Sequence, residues 1–327
     1  MRAKSAAADP IYHCRRFIYH LRMLSVLVLF RNAPAMARQC LLGLFQTFQR
    51  FQADGDVEFI FIDDCSAIEH GVIPMLQQFR SGTRSPVQII RFKEHRHYAF
   101  GLACGFSLAQ GSKILFVSHD MMLTAPCARM LLQIAATDES LGVVRPTSRS
   151  MDGFKQLTCD SPLPLRSYED ILNFSEYVSQ YYGTHFVEDP FLIGDAMLVR
   201  RSVIDKIGIP DPNYVGFYGD LDYGLRIQRA GFKLATARGA WVHHEGSGGI
   251  KEIAKGVPDK LQVLDRQYQA VAHTAYLQFC QKWDPAMSDP YLPVASIDFA
   301  RLRGITPANP CDYQPPIQIN PAECERF

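Results

Sequence analysis

The sequence lacks the features that mark several large classes of protein. Its nine cysteines occur singly, with no Cys-x-x-Cys pair, which argues against a disulfide framework and fits a reducing compartment. Lysine plus arginine (34) nearly balances aspartate plus glutamate (33), so no basic excess points to nucleic acid. Apolar runs such as Leu24–Phe30 are far too short to span a bilayer, and the N-terminus has no signal-peptide core.

Length and composition leave room for an enzyme core. The chain has 327 residues, 47% of them hydrophobic, which is enough for one large or two small domains. Continuous apolar runs alternate with segments of helical spacing, and this alternation predicts a parallel sheet covered by helices. The predicted strands are Leu24–Phe30, Val57–Asp63, 87–91, 113–117, 141–144 and 189–200. The predicted helices start at Pro34 and cover 101–109, 127–135, 168–182, 201–207 and 258–283.

The two ends of the chain show less periodicity. The tail after Asp284 is rich in proline, and we interpret it as an arm rather than a domain. Residues 11–23 mix arginines with apolar side chains. A helix packed on the domain is favoured there over a basic helix on a membrane surface.

Polar side chains follow the second and fourth predicted strands. Asp63 and Asp64 end one strand, and Ser118-His119-Asp120 ends the other. Because ligands bind at the carboxyl ends of the strands in such sheets, we expect the site there. The alternative for Asp63 and Asp64 is a turn that caps the next helix, and the two roles are compatible.

A second acidic cluster lies where a loop enters a predicted helix. Asp220 and Asp222 are two residues apart, and His243 and His244 follow about one helix and one strand later. A carboxylate base and an imidazole that converge on one pocket suit a metal-assisted transfer reaction. On a strand the two histidines point to opposite faces, so only one of them is expected to reach the site.

In this order, the elements resemble the family 2 glycosyltransferases of GT-A fold, of the rhamnosyl- and galactofuranosyltransferase type. The resemblance covers residues 25–284 and rests on Phe30-Arg31-Asn32, Ile62-Asp63-Asp64-Cys65-Ser66, Ser118-His119-Asp120, the strand 194–201, the helix start 220–226, His244-Glu245-Gly246-Ser247 and Phe279-Cys280-Gln281-Lys282-Trp283. It implies a GT-A (Rossmann-like), doubly wound α/β fold with a mostly parallel sheet and a C-terminal helical extension.

The resemblance also implies a division of the chain. Residues 1–24 form an N-terminal helical extension, and residues 25–250 form the GT-A catalytic domain. Within that domain, residues 25–145 are the nucleotide-sugar half and residues 146–250 the acceptor half. Residues 251–327 form the C-terminal helix and the proline-rich tail.

The donor and its cation are implied to lie at the ends of the first, second and fourth strands. The residues implied to bind the nucleotide sugar are Arg31, Asp63, Asp64, Ser118 and His119, with Asp63 and Asp64 on the base and ribose. A divalent cation, Mn²⁺ or Mg²⁺, is assigned to Asp120 and His244. Ser118 stands where the family's Asp-x-Asp motif has its first acid, which leaves the cation requirement open.

The acceptor is implied to meet the second acidic cluster. Asp220 is the expected base, and Asp222, Gly194 and Asp195 are expected on the acceptor side. The alternative for Asp222 is a structural role, and Arg226 is expected to anchor the helix by an ion pair. The glycines after His244, which are Gly246, Gly248 and Gly249, suggest a flap over the donor phosphates.

The resemblance implies an inverting enzyme. A sugar moves from a UDP-, dTDP- or GDP-sugar to a hydroxyl of a saccharide, a lipid-linked saccharide or a protein, in polysaccharide or glycoconjugate synthesis. Two alternatives stay open: a non-catalytic nucleotide-sugar-binding subunit, and a nucleotidyltransferase, against which the glycine-free segment after the first strand argues. We expect a cytoplasmic protein, with peripheral contact at the inner face of the membrane as an open alternative and no nucleic-acid partner.

Overall fold

The computed structural model describes residues 24–49, 56–151, 154–244, 258–305, 313–320 and 322–327. Its strands are β1 (Leu24–Phe30), β2 (Val57–Asp63), β3 (Val87–Phe92), β4 (Lys113–Ser118), β5 (Met121–Met122), β6 (Leu141–Thr147), β7 (Phe186–Glu188), β8 (Ala196–Arg200), β9 (Lys233–Trp241), β10 (His243–His244) and β11 (Cys324–Arg326). Its helices are α1 (Pro34–Gln49), α2 (Val72–Gly82), α3 (His97–Leu108), α4 (Ala125–Thr137), α5 (Tyr168–Tyr182), α6 (Arg201–Ile207), α7 (Gly219–Arg229), α8 (Pro258–Trp283) and α9 (Phe299–Gly304).

Nine strands form one sheet in the order β11-β3-β2-β1-β4-β8-β6-β9-β7. Strands β1 to β4 are mutually parallel, and β6 is parallel to β9. Strand β8 runs antiparallel between β4 and β6, and β7 and β11 are antiparallel edge strands. The predicted doubly wound, mostly parallel α/β fold is therefore confirmed.

Both faces of the sheet are covered, which explains why its central strands are apolar throughout. In β1, Val26 and Val28 belong to the core formed with α1, α2 and α4, whereas Leu27 belongs to the core formed with α3, α6 and α7. In β2, Phe59 and Phe61 face the first core and Ile60 and Ile62 the second. Alternate side chains of a strand point to opposite faces, so a strand between two helical layers needs an unbroken apolar run.

The structure corrects two predictions about element boundaries. The predicted strand 189–200 is a strand only at Ala196–Arg200; the preceding residues form a loop, because Pro190 lacks an amide hydrogen and the Asp195 side chain bonds the amide of Ala196. The tail is more than an arm, since β11 pairs with β3 from Cys324↔Phe92 to Arg326↔Ile90. The predicted N-terminal helix at 11–23 lies outside the described residues.

The C-terminal part of helix α8 packs against the start of α7. Its Tyr276, Phe279 and Trp283 are buried in a cluster that also contains Tyr218 and Leu221. None of the helices within the described ranges has the length and hydropathy needed to cross a membrane.

Candidate functional site

The candidate site lies at the carboxyl ends of β1 to β4, where the backbone adopts unusual conformations. Five non-glycine residues of the described chain have φ between 47° and 66°, namely Asn32, Ala33, Cys65, His97 and Tyr218. The first four follow β1, β2 or β3, and Tyr218 immediately precedes α7. A left-handed conformation costs a residue with a side chain about 1–2 kcal/mol. Such strain, gathered at one edge of a sheet, is typical of a ligand-binding surface.

Asp63 is buried and caps the turn that follows β2. Its Oδ1 accepts a hydrogen bond from the Ser66 hydroxyl and lies 3.3 Å from the Ser66 amide nitrogen. Its Oδ2 lies 3.4 Å from the Arg91 guanidinium. Burial raises the pKa of Asp63, although Ser66 and Arg91 oppose the rise. These contacts match the alternative role of Asp63, which is to cap the turn that leads to the next helix.

Asp64 connects the ends of three strands. Its Oδ2 lies 2.7 Å from Nδ1 of His95, and its Oδ1 accepts the backbone N–H of Arg96 at 2.7 Å. Its carbonyl oxygen accepts a guanidinium N–H from Arg31, also at 2.7 Å. Arg31 follows β1, whereas His95 and Arg96 follow β3. Asp64 therefore holds the loops after β1 and β3 together at one place on the sheet edge.

A short ribbon brings the two predicted cation ligands together. Strand β10 pairs with β5 in antiparallel register, with His244 opposite Met121, so His244 lies beside Asp120. Nε2 of His244 is 3.4 Å from Oδ2 of Asp120. The ring of His243 is 6.0 Å from that of Trp241. Of the two histidines, His244 is the one with a described contact to Asp120.

The second nitrogen of His244 defines its orientation. Nδ1 lies 2.9 Å from the Ser150 carbonyl oxygen, which can only accept a hydrogen, so Nδ1 donates and Nε2 is directed at Asp120. Histidines that bind metals are oriented in this way. Burial alone would lower the pKa of His244, but the hydrogen bond to Asp120 and its charge raise the pKa to about 9. Burial alone would raise the pKa of Asp120, but the hydrogen bond from His244 and the charge of its ring lower the pKa below its usual value.

These two side chains could hold a hard divalent cation with an oxygen and an imidazole nitrogen. Within the described ranges no group of three or more His, Cys, Asp or Glu side chains is arranged to bind a metal. Phosphate oxygens of a ligand and water would have to complete the coordination of Mn²⁺ or Mg²⁺. Binding a cation at Nε2 would also require His244 to lose a proton.

The loop before β8 connects the cation residues to the second acidic cluster. The backbone N–H of Gly194 donates to Oδ2 of Asp220 at 2.8 Å, and the carbonyl of Asp195 accepts the backbone N–H of Ser118 at 3.1 Å. The Tyr98 hydroxyl donates to the Gly194 carbonyl at 2.6 Å. A Cβ at position 194 would lie 2.3 Å from that hydroxyl, so only glycine fits between Tyr98 and Asp220.

Asp220 is held at the first turn of α7. Besides the Gly194 amide, its carboxylate accepts the backbone N–H of Leu221 at 2.9 Å. Burial raises the pKa of Asp220, while these backbone donors and Arg145 oppose the rise. A half-buried carboxylate with a raised pKa and a fixed orientation is suited to accept a proton.

Asp222 lies two residues further on but belongs to the protein core. It is fully buried, and its Oδ1 accepts Nζ–H of Lys282 at 2.7 Å and Nε1–H of Trp283 at 2.9 Å. Both partners come from the end of α8, in the aromatic-Lys-Trp motif singled out in the sequence. Arg226 donates to the carbonyls of Ile207 and Ile209, and its guanidinium is 3.8 Å from Asp222.

The sequence analysis missed Arg145. This arginine is fully buried at the end of β6. Its Nη2 donates to Oδ1 of Asp195 at 3.1 Å, Nη1 is 3.8 Å from Asp189, and the guanidinium lies over the Phe154 ring at 4.8 Å. Among the residues that the structure describes, neither its Nε nor its Nη1 has a hydrogen-bond partner. The signal in the sequence was a charged residue next to the apolar run 141–144. Because burying a charge costs free energy unless the charge is paired, such a residue indicates a carboxylate partner nearby.

The remaining predicted residues are easily placed. Ser118 meets the loop before β8 through its backbone, and the ring of His119 lies 6.1 Å from the Phe30 ring. The structure thus brings Asp120, His244, Asp195, Gly194 and Asp220 together and sets Asp222 apart. The predicted glycine flap at 246–249 lies outside the described residues.

The family of the chain follows from its sequence. The family model described as "Glycosyl transferase family 2" matches residues 25–208, more than half of the chain. The chain belongs to glycosyl transferase family 2. This glycosyltransferase has no significant match among curated proteins. The family match confirms the expectation of a glycosyltransferase and disfavours the nucleotidyltransferase alternative.

Solved structures of low sequence identity are similar to this glycosyltransferase. The mannosyltransferase PcManGT from Pyrobaculum calidifontis, in complex with GDP-Man and Mn²⁺, is 14% identical with a TM-score of 0.51, over 90% of this chain and 85% of that one. GalNAc-T7 with UDP, GalNAc and Mn²⁺ is 15% identical with a TM-score of 0.52, over 87% of this chain and 54% of that one. TarS 1–349 from S. aureus is 12% identical with a TM-score of 0.49, over 83% and 76%.

Replacing Arg145 tests its pairing with Asp189 and Asp195. We expect Arg145→Met to cost about 3–5 kcal/mol of stability, because it leaves buried carboxylates without their cation. Burial raises the pKa of Asp189 to about 6 against the opposing charge of Arg145. Protonation of Asp189 at low pH removes the unpaired charge, so the deficit in melting temperature should be smaller at pH 5 than at pH 8.

The matched control is Arg238→Met. Arg238 is half-buried and lies over the Tyr182 ring at 4.5 Å, without a carboxylate partner among its described contacts. It should cost far less stability and show no such pH dependence. Equal losses in the two variants would contradict the assigned role of Arg145.

Proposed function

We propose that the enzyme transfers a sugar from a nucleotide-diphosphate donor to a hydroxyl acceptor with inversion at the anomeric carbon, and that Asp220 is the general base. The observation that carries the proposal is the link between Asp220 and the cation residues. Asp220 bonds to Gly194, and the adjacent Asp195 bonds to Ser118 at the start of the Ser118-His119-Asp120 motif. A base and a diphosphate site at a fixed separation are what a single displacement requires.

We propose that the donor nucleotide binds at the carboxyl ends of β1, β2 and β4, with its nucleoside beside the loops that follow β1, β2 and β3. Several features support this placement: the strained backbone there, the Arg31 guanidinium, and the hydrogen-bonding groups around Asp64. PcManGT with GDP-Man and GalNAc-T7 with UDP share the fold and were both crystallised with Mn²⁺. The diphosphate would then lie next to Asp120 and His244, at the end of β4.

The residues of this chain account for the proton and for the direction of attack. Asp220 removes the proton from the acceptor hydroxyl as its oxygen bonds to the anomeric carbon. The bond from that carbon to the donor phosphate oxygen breaks, and its electron pair leaves with the nucleoside diphosphate. The Gly194 and Leu221 amides hold the carboxylate in one orientation. Because attack comes from the face opposite the leaving group, the configuration inverts.

Asp120 and His244 are the residues that would hold a divalent cation. When bound, the cation would supply positive charge for the departing diphosphate. The Ser150 carbonyl keeps Nε2 of His244 directed to this position. Ser118, in place of an acid, would leave more of the coordination to the donor.

The acceptor half is proposed to be residues 146–250, with Gly194 and Asp195 nearest the reacting hydroxyl. For Asp222 we propose the structural of its two roles, because Lys282 and Trp283 occupy its carboxylate. A polysaccharide, a lipid-linked saccharide or a protein can supply the hydroxyl, and synthesis of a polysaccharide or glycoconjugate in the cytoplasm or at the inner membrane face is the proposed setting.

Replacing the base should abolish transfer and leave the donor site intact. We expect Asp220→Asn to lose about a hundredfold to ten-thousandfold in turnover, because an amide cannot accept the hydroxyl proton. Donor affinity should stay near the wild-type value, since no donor contact is assigned to Asp220. The measurement is release of nucleoside diphosphate with acceptor present, together with donor binding by calorimetry.

The matched control is Asp222→Asn, two residues away in the same helix. It should lower the melting temperature, because the buried Arg226 loses the charge of Asp222 and Lys282 is left with Asp211 as its carboxylate partner, and it should affect turnover less. Near wild-type turnover in Asp220→Asn would remove Asp220 from the mechanism. If the wild type binds donors but never turns them over, the non-catalytic alternative is favoured instead.

Donor binding should depend on a divalent cation. In the wild type, a nucleotide sugar with Mn²⁺ should raise the melting temperature by mass action, and excess chelator should remove most of that rise. His244→Ala should lose the Mn²⁺-dependent part of the rise. His243→Ala, on the same strand but not facing Asp120, should keep it.

Each variant is compared with its own melting temperature without ligand, so a general loss of stability does not affect the comparison. Full activity and donor stabilisation in chelator would mean that basic residues alone neutralise the diphosphate.

A further inference from the structure

The carboxylate of Asp64 is poorly accessible to a nucleobase. One oxygen accepts the Arg96 amide and the other lies 2.7 Å from the His95 ring. The residue is only 7% exposed. Asp63 is fully buried against Ser66 and Arg91. Burial therefore leaves little of either carboxylate accessible to a ligand.

His95 offers such an edge. Its side chain is 34% exposed, and Nε2 has no hydrogen-bond partner among the described residues. Because the Asp64 carboxylate only accepts hydrogens, the proton between the two groups sits on Nδ1 of His95. In the neutral ring this arrangement leaves Nε2 as an acceptor.

The surroundings hold the ring in place. The His97 ring lies 3.9 Å away at an angle of 48°, and its backbone has a φ of 66°. The following residue of the loop, Arg96, gives its amide to the same carboxylate and lies over the Phe100 ring at 4.1 Å. The Asp64 carboxylate and the His97 ring thus hold the His95 ring so that Nε2 keeps one orientation.

We infer that His95 selects the donor base, and that it accepts the ring N–H of a uracil, thymine or guanine. This inference rests on the proposed nucleotide-sugar donor. Uracil and thymine carry this hydrogen at N3 and guanine at N1, whereas N3 of cytosine and N1 of adenine are acceptors. A site built to accept a hydrogen bond rejects a ligand that brings a second acceptor, since both groups lose their solvation without pairing. Asp64 acts through His95, as the group that fixes its tautomer.

The test is nucleotide binding by calorimetry with two pairs of matched size, UDP against CDP and GDP against ADP. The buffer contains Mn²⁺ at pH 8. For whichever ring size binds the wild type more tightly, the base with the ring N–H should bind at least about tenfold tighter than its partner. His95→Phe keeps a ring but removes the acceptor, and should bring that ratio close to one.

Two further variants make the result specific. His95→Gln can turn either its oxygen or its NH₂ group towards the base, so it should bind both members of a pair with a ratio near one. His70→Asn changes a half-buried histidine in the turn after β2 to which no contact with His95 or Asp64 is assigned, and should keep the wild-type ratio.

A wild type that binds CDP as well as UDP, and ADP as well as GDP, would overturn the inference. So would a preference that survives in both His95 variants. A wild type that binds none of the four nucleotides would instead contradict the proposed function, and the inference would fall with it.

Discussion

The site depends on the hydrogen bonds made by one short loop, residues 189–195. Its Gly194 amide holds Asp220 and its Asp195 carbonyl holds Ser118, so the loop fixes the distance between the candidate base and the cation residues. The buried Arg145 ties the loop down through Asp195 and Asp189. Burying an arginine whose N–H groups are not all hydrogen-bonded within the described residues costs free energy of folding. This cost is consistent with a loop whose position is important for the site.

Burial separates carboxylates that are neighbours in sequence into different roles. Asp220 and Asp222 lie on one helical turn, yet Asp220 faces the Gly194 loop and Asp222 faces the end of α8. The same holds for Asp63, which caps a turn in the core, and Asp64, which orients His95. In each pair the fully buried member is paired with groups inside the protein, and the less buried member is directed to the sheet edge where a ligand can bind.

Strands β1, β2, β3, β4 and β6 were predictable because the helices on both faces of the sheet require unbroken apolar runs, which are visible in the sequence. The helices 168–182, 201–207 and 258–283 were predicted with the bounds that the structure has. The loop 189–195 was mistaken for a strand because its apolar residues resemble one, and what makes it a loop is tertiary. The pairing of Asp120 with His244 was implied only by a family resemblance, since it depends on a two-residue ribbon. The contact of His95 with Asp64, like that of Arg145 with Asp195, leaves no periodic signal in the sequence.

The central claim is a single displacement at the anomeric carbon by a hydroxyl that Asp220 deprotonates. The most direct measurement is the anomeric configuration of the new glycosidic bond, determined by proton NMR on the product that the wild type forms from a nucleotide sugar of defined anomer. The account predicts a product of the opposite configuration to the donor. A product that retains the donor's configuration would require a second displacement or an internal return and would contradict the account.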